Sequence, residues 1–311
     1  MGEMRSHMVV PSERPTRPWW WAVAVVTAAA LALTVGCSSS SEGDGAEDPA
    51  LPGRAPDATS EYLPGLGADV YLPAELPATD PVPVVLLVPG GGWQTADRRG
   101  LGPVAAELAE AGFVAVNATY RAGADGASFP VPVQDVLCAS GFAVDAARSA
   151  GVDPGPVVAI GHSAGAHLAS LAALSGAELA APCPYPVPRI EGLVGLAGVY
   201  DVTAFEFALV DFFGGAPAER PDAWRLGDPV GLVDAGSAPE DLQVLLLHGD
   251  ADEDVPVAQS QSFASSLDRA GVPVRLEVVP GATHPTIYTA AVAAPMVVEW
   301  IGDLAAGRAS G

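Results

Sequence analysis

The sequence predicts an α/β fold in which helices cover both faces of a mostly parallel central sheet. Three observations support this prediction. Short apolar runs alternate with longer segments of helical spacing, which is typical of a parallel sheet with helices on both sides. One apolar run leads through a Gly-x-Ser-x-Gly turn at residues 161–165 into a helical segment. Two later runs end in loops that carry acidic residues or a histidine.

The individual strands and helices follow from the spacing of the apolar residues. This spacing predicts strands at residues 69–72, 82–88, 113–118, 157–160, 193–196, 242–247 and 274–279. It predicts helices at residues 100–111, 131–150, 164–174, 258–270 and 286–306. Residues 204–239 show no clean period and predict a small cap insertion. Its aromatic residues are predicted partly to pack as connecting structure and partly to line an acyl or aryl pocket; they are Phe205, Phe207, Phe212, Phe213 and Trp224.

The turn at residues 161–165 predicts a nucleophile at Ser163. A turn this tight between a strand and a helix holds its serine in a strained backbone conformation at the end of the sheet. Gly161 and Gly165 lack the side chains that would collide there. The alternative is that Ser163 only caps the helix that follows. The choice therefore depends on whether catalytic partners occur elsewhere in the chain.

Candidate partners occur after Ser163 in the order acid and then histidine, which is the order expected for this kind of turn. An acidic loop at residues 250–254 follows one predicted strand, and His284 lies in a loop just after the next. Catalytic groups in open parallel sheets gather outside the carboxyl ends of the strands. Both loops are therefore expected close to Ser163.

The other histidines are weaker candidates for the catalytic base. His7 lies in the N-terminal segment, and His162 directly precedes the predicted nucleophile. His167 lies one helical turn beyond Ser163 and is expected to be a packed or hydrogen-bonded helix residue. His248 ends a strand and is expected to orient the acidic loop by hydrogen bonding.

Five motifs, taken in this order, resemble those of α/β-hydrolase fold proteins of the esterase/lipase superfamily. They cover most of residues 66–305 and are Val-Pro-Gly-Gly-Gly-Trp at 88–93, Asn-Ala-Thr-Tyr-Arg at 117–121, Gly-His-Ser-Ala-Gly at 161–165, His-Gly-x-x-Asp-x-x-Val-Pro at 248–256 and Gly-x-x-His at 281–284. Within the superfamily the chain is most similar to hormone-sensitive lipase and to bacterial feruloyl or acetyl esterases. The resemblance implies an α/β-hydrolase fold and a serine hydrolase that uses no cofactor.

The resemblance also implies roles for single residues. The family motif assigns the acid to Asp252, so that Asp250 and Asp254 become solvated loop residues. His284 would take the proton of Ser163 and return it to the leaving alcohol. Asp252 would hold the imidazole in the correct tautomer and stabilise its charged form. Asp201, after an earlier strand, is expected to begin a turn or cap a helix.

The oxyanion formed in such a reaction requires preorganised hydrogen-bond donors. The predicted donors are the backbone N–H groups of Gly91, Gly92 and Ala164, since glycine lets the backbone approach the substrate closely. The family usually carries a histidine before the glycine run, and Pro89 stands there instead. The donors are backbone groups, so their role survives this change. The alternative is that the glycine run is only a flexible turn and that the Trp93 side chain serves only for packing.

These roles predict a serine esterase that cleaves esters of small to medium acyl groups through an acyl-enzyme. The ester belongs to a small molecule or, as the resemblance suggests, to a plant-type polysaccharide. An amidase, peptidase or aryl-formamidase on the same triad is one alternative. A lipoprotein that retains the fold only for binding is another.

The N-terminal segment has the layout of a secretory signal. Arginines precede an uncharged, mostly apolar run at residues 19–35, and Gly36 then precedes Cys37. The segment resembles a bacterial lipoprotein signal at residues 1–36, in which Cys37 is lipidated and becomes the mature N-terminus. Thr34 departs from that pattern, which prefers Leu. The alternative is an uncleaved membrane anchor; in both cases the catalytic domain is expected to be exported and tethered to the cell membrane.

The composition after Cys37 predicts a linker followed by one domain. Residues 37–60 contain Ser, Gly, Asp, Glu, Pro and Ala with almost no large apolar side chain, which predicts a flexible tether. Residues 61–311 have the length of one large catalytic domain.

The charge of the chain argues against several other classes of function. The formal net charge of −23 argues against binding to nucleic acid or to anionic lipid surfaces. All 14 basic residues are arginines, which excludes a Schiff-base lysine and a P-loop lysine. The cysteine and histidine spacing suggests no metal site. Cys138 and Cys183 are expected in an oxidising compartment, either as a disulfide or as two buried thiols.

Overall fold

The computed structural model describes residues 53–75 and 80–307. The predicted signal at residues 1–36, Cys37 and most of the predicted linker lie outside the described residues. Within the part that is described, no helix combines the length and the apolar character needed to cross a bilayer.

A twisted sheet of eight strands forms the centre of the domain, in the order β1-β2-β4-β3-β5-β6-β7-β8. The pairs β1–β2 and β2–β4 are antiparallel, and the strands from β4 to β8 are parallel. The strand bounds are β1 Ala58–Leu63, β2 Leu66–Tyr71, β3 Val82–Val88, β4 Val114–Ala118, β5 Pro154–His162, β6 Gly192–Leu196, β7 Gln243–Gly249 and β8 Val274–Val279. The predicted mostly parallel α/β architecture is confirmed.

Helices cover both faces of this sheet. Their bounds are α1 Gly102–Glu110, α2 Val131–Ser149, α3 Ala164–Leu179, α4 Glu206–Phe213, α5 Pro221–Leu226, α6 Pro229–Asp234, α7 Ala258–Arg269 and α8 Ala290–Ala305. Buried side chains of α2, α3 and α7 form one apolar core with one face of the sheet. Buried side chains of α1 and α8 form a second core on the other face. Strands β3 and β5 are almost wholly buried because both of their faces are covered.

The domain begins earlier than the boundary predicted at residue 61. Strand β1 starts at Ala58 and pairs with β2, with Ala58 opposite Val70. Arg54 donates a hydrogen bond to the carbonyl of Leu72 at 2.7 Å. Residues 58–60 therefore belong to the sheet. Their side chains are exposed, so the apolar alternation that reveals a half-buried strand is missing there.

The last helix begins later than predicted. Residues 286–289 form turns, and α8 starts at Ala290. The Thr286 hydroxyl accepts a hydrogen bond from the Thr283 N–H at 2.7 Å, and the Thr289 hydroxyl donates to the Thr286 carbonyl at 2.8 Å. Threonine side chains that bond to nearby backbone groups compete with helix formation. Helix α3 extends to Leu179, beyond the predicted end at residue 174.

A disulfide joins helix α2 to the loop that follows α3. The sulfur atoms of Cys138 and Cys183 are 2.05 Å apart, and their Cα atoms are 5.6 Å apart. Of the two states left open by the sequence, the structure contains the disulfide.

Candidate active site

The turn between β5 and α3 has the strained conformation that its glycines suggest. Ser163 has φ 53° and ψ −122°, values that non-glycine residues rarely adopt. A Cβ atom on Gly161 would lie 2.3 Å from the carbonyl oxygen of Gly165. A Cβ atom on Gly165 would lie 2.2 Å from the carbonyl oxygen of Val88. Only glycine fits at either position, and Ser163 makes no side-chain capping bond to α3.

The glycine loop after β3 lies against this turn. A Cβ atom on Gly90 would be 2.8 Å from Nδ1 of His162 and 3.1 Å from Cβ of Ser163. Gly91, Gly92 and Trp93 have φ values of 141°, 58° and 59°. The backbone thus approaches the predicted nucleophile more closely than a chain with side chains at these glycines could.

The peptide between Gly91 and Gly92 directs its carbonyl into the hydrogen bonds of the loop and its N–H, that of Gly92, to the opposite side. The carbonyl of Gly91 accepts from the N–H groups of Gln94 at 3.0 Å and Thr95 at 3.1 Å. A trans peptide places the N–H of the next residue on the side opposite to the carbonyl. Ala164 opens α3, and the first N–H groups of a helix have no partner within it. Two of the three predicted donors, the N–H groups of Gly92 and Ala164, are therefore not used by these loop and helix hydrogen bonds.

The predicted acid and base meet at the ends of β7 and β8. Nδ1 of His284 donates to Oδ2 of Asp252 at 2.8 Å. The other carboxylate oxygen of Asp252 accepts from the N–H groups of Asp254 at 2.9 Å and Val255 at 2.8 Å. The side chain of Asp252 is fully buried, and that of His284 is 14% exposed. Burial alone would raise the pKa of Asp252, but the Val255 N–H and the His284 imidazole outweigh it and hold the pKa below its usual value.

The structure separates Asp252 from its neighbours in the acidic loop. Asp250 is exposed and accepts a hydrogen bond from the N–H of Gly281 at 2.6 Å, which ties two loops together. Asp254 is exposed. Asp252 is the member of this loop that contacts His284 through a hydrogen bond. Asp201 caps a short 3-10 helix by accepting from the Thr203 N–H at 3.0 Å.

His248 holds the acidic loop in place. Its Nδ1 bonds to the Ser260 hydroxyl at 2.7 Å, and its Nε2 donates to the Val255 carbonyl at 2.8 Å. The same Nε2 lies 3.4 Å from Oδ2 of Asp252. His248 is completely buried at the end of β7. It therefore anchors the loop that carries Asp252, which is the role expected from its position.

A cavity of about 430 Å³ brings the candidate residues together. Ser163, His284, Gly91 and Gly92 all line it, and Asp252 lies behind His284. The rest of the lining consists of Pro89, Gly90, Thr95, Asp97, Gly100, Leu101, His162 and Tyr288. The site is thus a small cleft with backbone and polar side chains on one wall.

The aromatic residues of the cap insertion do not line this cleft, so the predicted acyl or aryl pocket is wrong, whereas the predicted packing role is confirmed for the buried members. Phe212, Phe213 and Trp224 are buried in the core, with Phe213 and Trp224 ring centroids 4.4 Å apart. Phe207 faces solvent and is 99% exposed. Helices α4 and α5 direct Phe212, Phe213 and Trp224 inward, and the rings of Phe212 and Phe213 pack against His167 of α3. Aromatic content alone did not reveal that direction.

Tyr288 and His162 are cleft residues whose contribution to the site was not identified from the sequence. Tyr288 packs its ring 4.2 Å from that of His162, and His162 in turn packs 4.7 Å from His284. Nε2 of His162 bonds to the carbonyl of His284 at 3.1 Å. Tyr288 follows His284 by four residues, and this spacing was the one sequence feature that could have indicated its place in the site. The contacts of His162 with His284 and Tyr288 hold the His284 loop against the nucleophile turn.

Within residues 53–75 and 80–307, one group of side chains could bind a metal, and it belongs to the same site. Ligand atoms of Asp252, Asp254 and His284 lie within 4.8 Å of one another. The Asp252 carboxylate already accepts from two backbone N–H groups and from the imidazole. Those contacts favour an acid–base pair over cation ligation.

Buried histidines predict that the folded state loses stability as the pH falls. Burial lowers the pKa of His162 to about 3 and that of His167 to about 4. A histidine in the unfolded chain has a pKa of about 6.5, so below that pH the unfolded chain binds protons that the folded chain does not. Each histidine then removes about 1.4 kcal/mol of stability per pH unit until its folded pKa is reached. Asp228 has the opposite effect, because burial raises its pKa to about 6 and the folded chain takes up that proton first.

Urea unfolding at several pH values between about 4.5 and about 7.5 measures this effect. The free energy of unfolding should fall toward acid in the wild type. His167→Asn should lower the slope by about 1.4 kcal/mol per pH unit, because one buried histidine is removed. Equal slopes for the two proteins would show that His167 does not titrate as its burial requires.

A model of the family BD-FAE matches residues 68–267 of the chain. Esterase LipQ of Mycobacterium tuberculosis is 28% identical over 247 residues, which cover 76% of this chain and 58% of LipQ. Esterase LipC of the same organism is 30% identical over 212 residues, which cover 64% of this chain and 51% of LipC. The isoprenylcysteine alpha-carbonyl methylesterase ICME of Arabidopsis thaliana is 28% identical over 240 residues, with 71% and 54% covered. The chain spans about half the length of these curated relatives.

Solved structures share the fold. A truncated carbohydrate esterase from gut microbiota superposes with a TM-score of 0.64 at 23% identity, covering 77% of this chain and 90% of the other. Esterase 2 of Thermogutta terrifontis, phosphonylated by sarin, superposes with a TM-score of 0.65 at 23% identity, covering 81% and 95%. At sequence identities this low, the superpositions show a shared fold alone.

Proposed function

The chain belongs to the BD-FAE family, and from that premise we propose that it is a carboxylic ester hydrolase whose nucleophile, base and acid are Ser163, His284 and Asp252. One observation carries the proposal. Ser163 and His284 line the same cleft, and Nδ1 of His284 is hydrogen-bonded to the buried carboxylate of Asp252. The esterase names of the curated relatives support the same reaction.

The hydrogen bond to Asp252 determines which nitrogen of His284 acts as the base. A carboxylate can only accept, so the proton is on Nδ1 and Nε2 carries the free lone pair. Nε2 takes the hydroxyl proton as the oxygen of Ser163 attacks the ester carbonyl carbon. The low pKa of Asp252 keeps its carboxylate charged beside the imidazolium that forms.

Hydrolysis then proceeds in two stages, acylation and deacylation, each through a tetrahedral intermediate. The negative oxygen is held by the N–H groups of Gly92 and Ala164, with Gly91 in the same loop as a further donor. The bond to the alcohol breaks, and the imidazolium of His284 gives its proton to the departing alkoxide. Water, deprotonated by Nε2, attacks the acyl-enzyme, and Ser163 leaves with the proton returned by His284.

The cleft favours esters of small to medium acyl groups. Its volume of about 430 Å³ is toward the small end of the range for ligand pockets, about 300–1,000 Å³. Phe212, Phe213 and Trp224, which could have formed a deep apolar tunnel, are packed in the core. A long acyl chain would therefore extend into solvent and gain little from burial.

The proposal is tested with p-nitrophenyl esters that carry acetyl, butyryl and octanoyl groups. Amino-acid p-nitroanilides and an aryl formamide are measured beside them. We expect hydrolysis of the esters, fastest for the two shorter groups. Cleavage of only the anilides or of the formamide would replace the ester assignment with amidase or formamidase. Failure to cleave any of them, together with no labelling by a fluorophosphonate probe, would favour a binding protein.

We also propose that the protein is exported and attached to the membrane through a lipid on Cys37. The apolar run at residues 19–35 before Gly36 and Cys37 supports this, as does a disulfide in the domain, since disulfides persist in oxidising compartments. Expressed in a bacterial host, the full chain should fractionate with membranes. Cys37→Ser should abolish incorporation of labelled palmitate, and equal incorporation in both chains would contradict the proposal.

A further inference from the structure

His167 is a buried polar residue that the proposed mechanism does not use. It lies on α3 one turn beyond Ser163 and is completely inaccessible to solvent. Its Nδ1 lies 3.1 Å from the indole Nε1 of Trp93, and its Nε2 lies 2.8 Å from the carbonyl of Gly227. One imidazole thus connects the nucleophile helix, the glycine loop and the cap insertion.

The partners of His167 determine its protonation. The Gly227 carbonyl can only accept, so Nε2 carries the ring proton. The Trp93 indole can only donate, so Nδ1 must present a lone pair to it. Both contacts are satisfied by the neutral ring alone. Burial favours the same state, because it lowers the pKa of His167 to about 4.

Trp93 needs such an anchor because its backbone is strained. It has φ 59° without being glycine, directly after Gly91 and Gly92, which also have positive φ. Conformations of this kind persist where the surroundings hold them in place. The Trp93 carbonyl accepts from the Gly123 N–H at 2.8 Å, and its ring packs 5.9 Å from Phe212. The indole N–H to His167 is the polar contact of its side chain.

We infer that His167 is a positioning residue for the oxyanion loop, which it holds through Trp93 at a set distance from Ser163. Because the His167 N–H donates to the Ser163 carbonyl at 3.2 Å, any shift of α3 moves the nucleophile and the loop anchor together. The N–H of Gly92, one residue before Trp93, is thereby kept in place for the oxyanion. This inference rests on the proposed ester hydrolysis.

Two substitutions at His167 separate its two contacts. Asn places its carbonyl oxygen at the position of Nδ1 and can accept from the Trp93 indole, but it loses the hydrogen bond to the Gly227 carbonyl. Gln places its amide nitrogen at the position of Nε2 and can donate to the Gly227 carbonyl, but it loses the hydrogen bond from Trp93. Trp93→Phe removes the indole donor from the other side. These variants are compared for kcat, for KM and for the inhibition constant of a short-chain trifluoromethyl ketone, which mimics the oxyanion intermediate.

We expect His167→Gln and Trp93→Phe to lower kcat by about 10- to 100-fold, because a misplaced oxyanion donor costs somewhat less than a deleted one. KM should stay within about threefold, and the ketone should bind more weakly by the same factor as the loss in kcat. His167→Asn should retain kcat within about threefold. The double variant of Trp93→Phe and His167→Gln should be no slower than either single variant, because both break the same contact.

Equal losses in His167→Asn and His167→Gln would overturn the inference, since a purely structural role would not distinguish them. Unchanged kcat in Trp93→Phe would also overturn it, and that variant decides the matter if His167→Gln fails to fold. Wild-type protein that cleaves no ester and takes up no fluorophosphonate would instead refute the proposed function. The two failures are therefore distinguishable.

Discussion

Ser163→Ala should lower kcat for ester hydrolysis by about 10⁴- to 10⁶-fold without unfolding the protein. The substitution removes the attacking oxygen, and what remains is the stabilisation provided by binding and the oxyanion donors. Ser163 makes no capping bond to α3, so its hydroxyl is not needed by the helix. The variant should also lose labelling by a fluorophosphonate probe, measured by mass spectrometry of the intact protein.

The matched control for this change is Ser175→Ala. Ser175 lies on the same helix, is buried, and its hydroxyl has no hydrogen-bond partner among the described residues. Its removal should leave kcat within about threefold of the wild type. Retention of more than about a tenth of the activity in Ser163→Ala would mean that another group is the nucleophile.

Asp252→Asn should lower kcat by about 10³- to 10⁴-fold. The amide can turn its N–H toward His284, which then carries its proton on Nε2 and cannot accept one from Ser163. Two backbone donors, the N–H groups of Asp254 and Val255, also lose a charged acceptor. We expect KM to change little, since Asp252 does not line the cleft.

Asp254→Asn provides the comparison, because Asp254 is an exposed acid in the same loop. Its activity should remain within about threefold of the wild type. Steady-state rates with p-nitrophenyl butyrate measure both variants, and circular dichroism checks their folding. A similar loss in Asp254→Asn and Asp252→Asn would show that the loop as a whole, and not one carboxylate, supports the reaction.

The sequence revealed the parts of this molecule that local sterics or apolar spacing dictate. The nucleophile turn could be predicted because Gly161 and Gly165 occupy places where any side chain would collide with backbone. The buried parallel strands could be predicted because β3 and residues 157–160 of β5 are continuous apolar runs. Strand β1 escaped detection because its residues are polar and mostly exposed at the sheet edge.

Other features depend on contacts that the sequence does not encode locally. Asp250, Asp252 and Asp254 follow one strand at alternate positions, so local spacing does not rank them, and the choice of Asp252 depended on the family motif. The link between Trp93 and His167 joins residues 74 positions apart. The aromatic residues of the cap gave no periodic signal, so the sequence could not decide which of them pack inward and which face outward.

The Cys138–Cys183 bond closes a stretch of 45 residues that contains β5, Ser163 and α3. Closing a loop of this length removes unfolded-chain entropy worth about 4 kcal/mol in the simplest treatment. A recombinant host that makes the chain in its reducing cytosol yields thiols at these positions. Such a preparation starts without that constraint, so secretion-directed expression is the suitable route to enzyme intended for heating, storage or crystallisation.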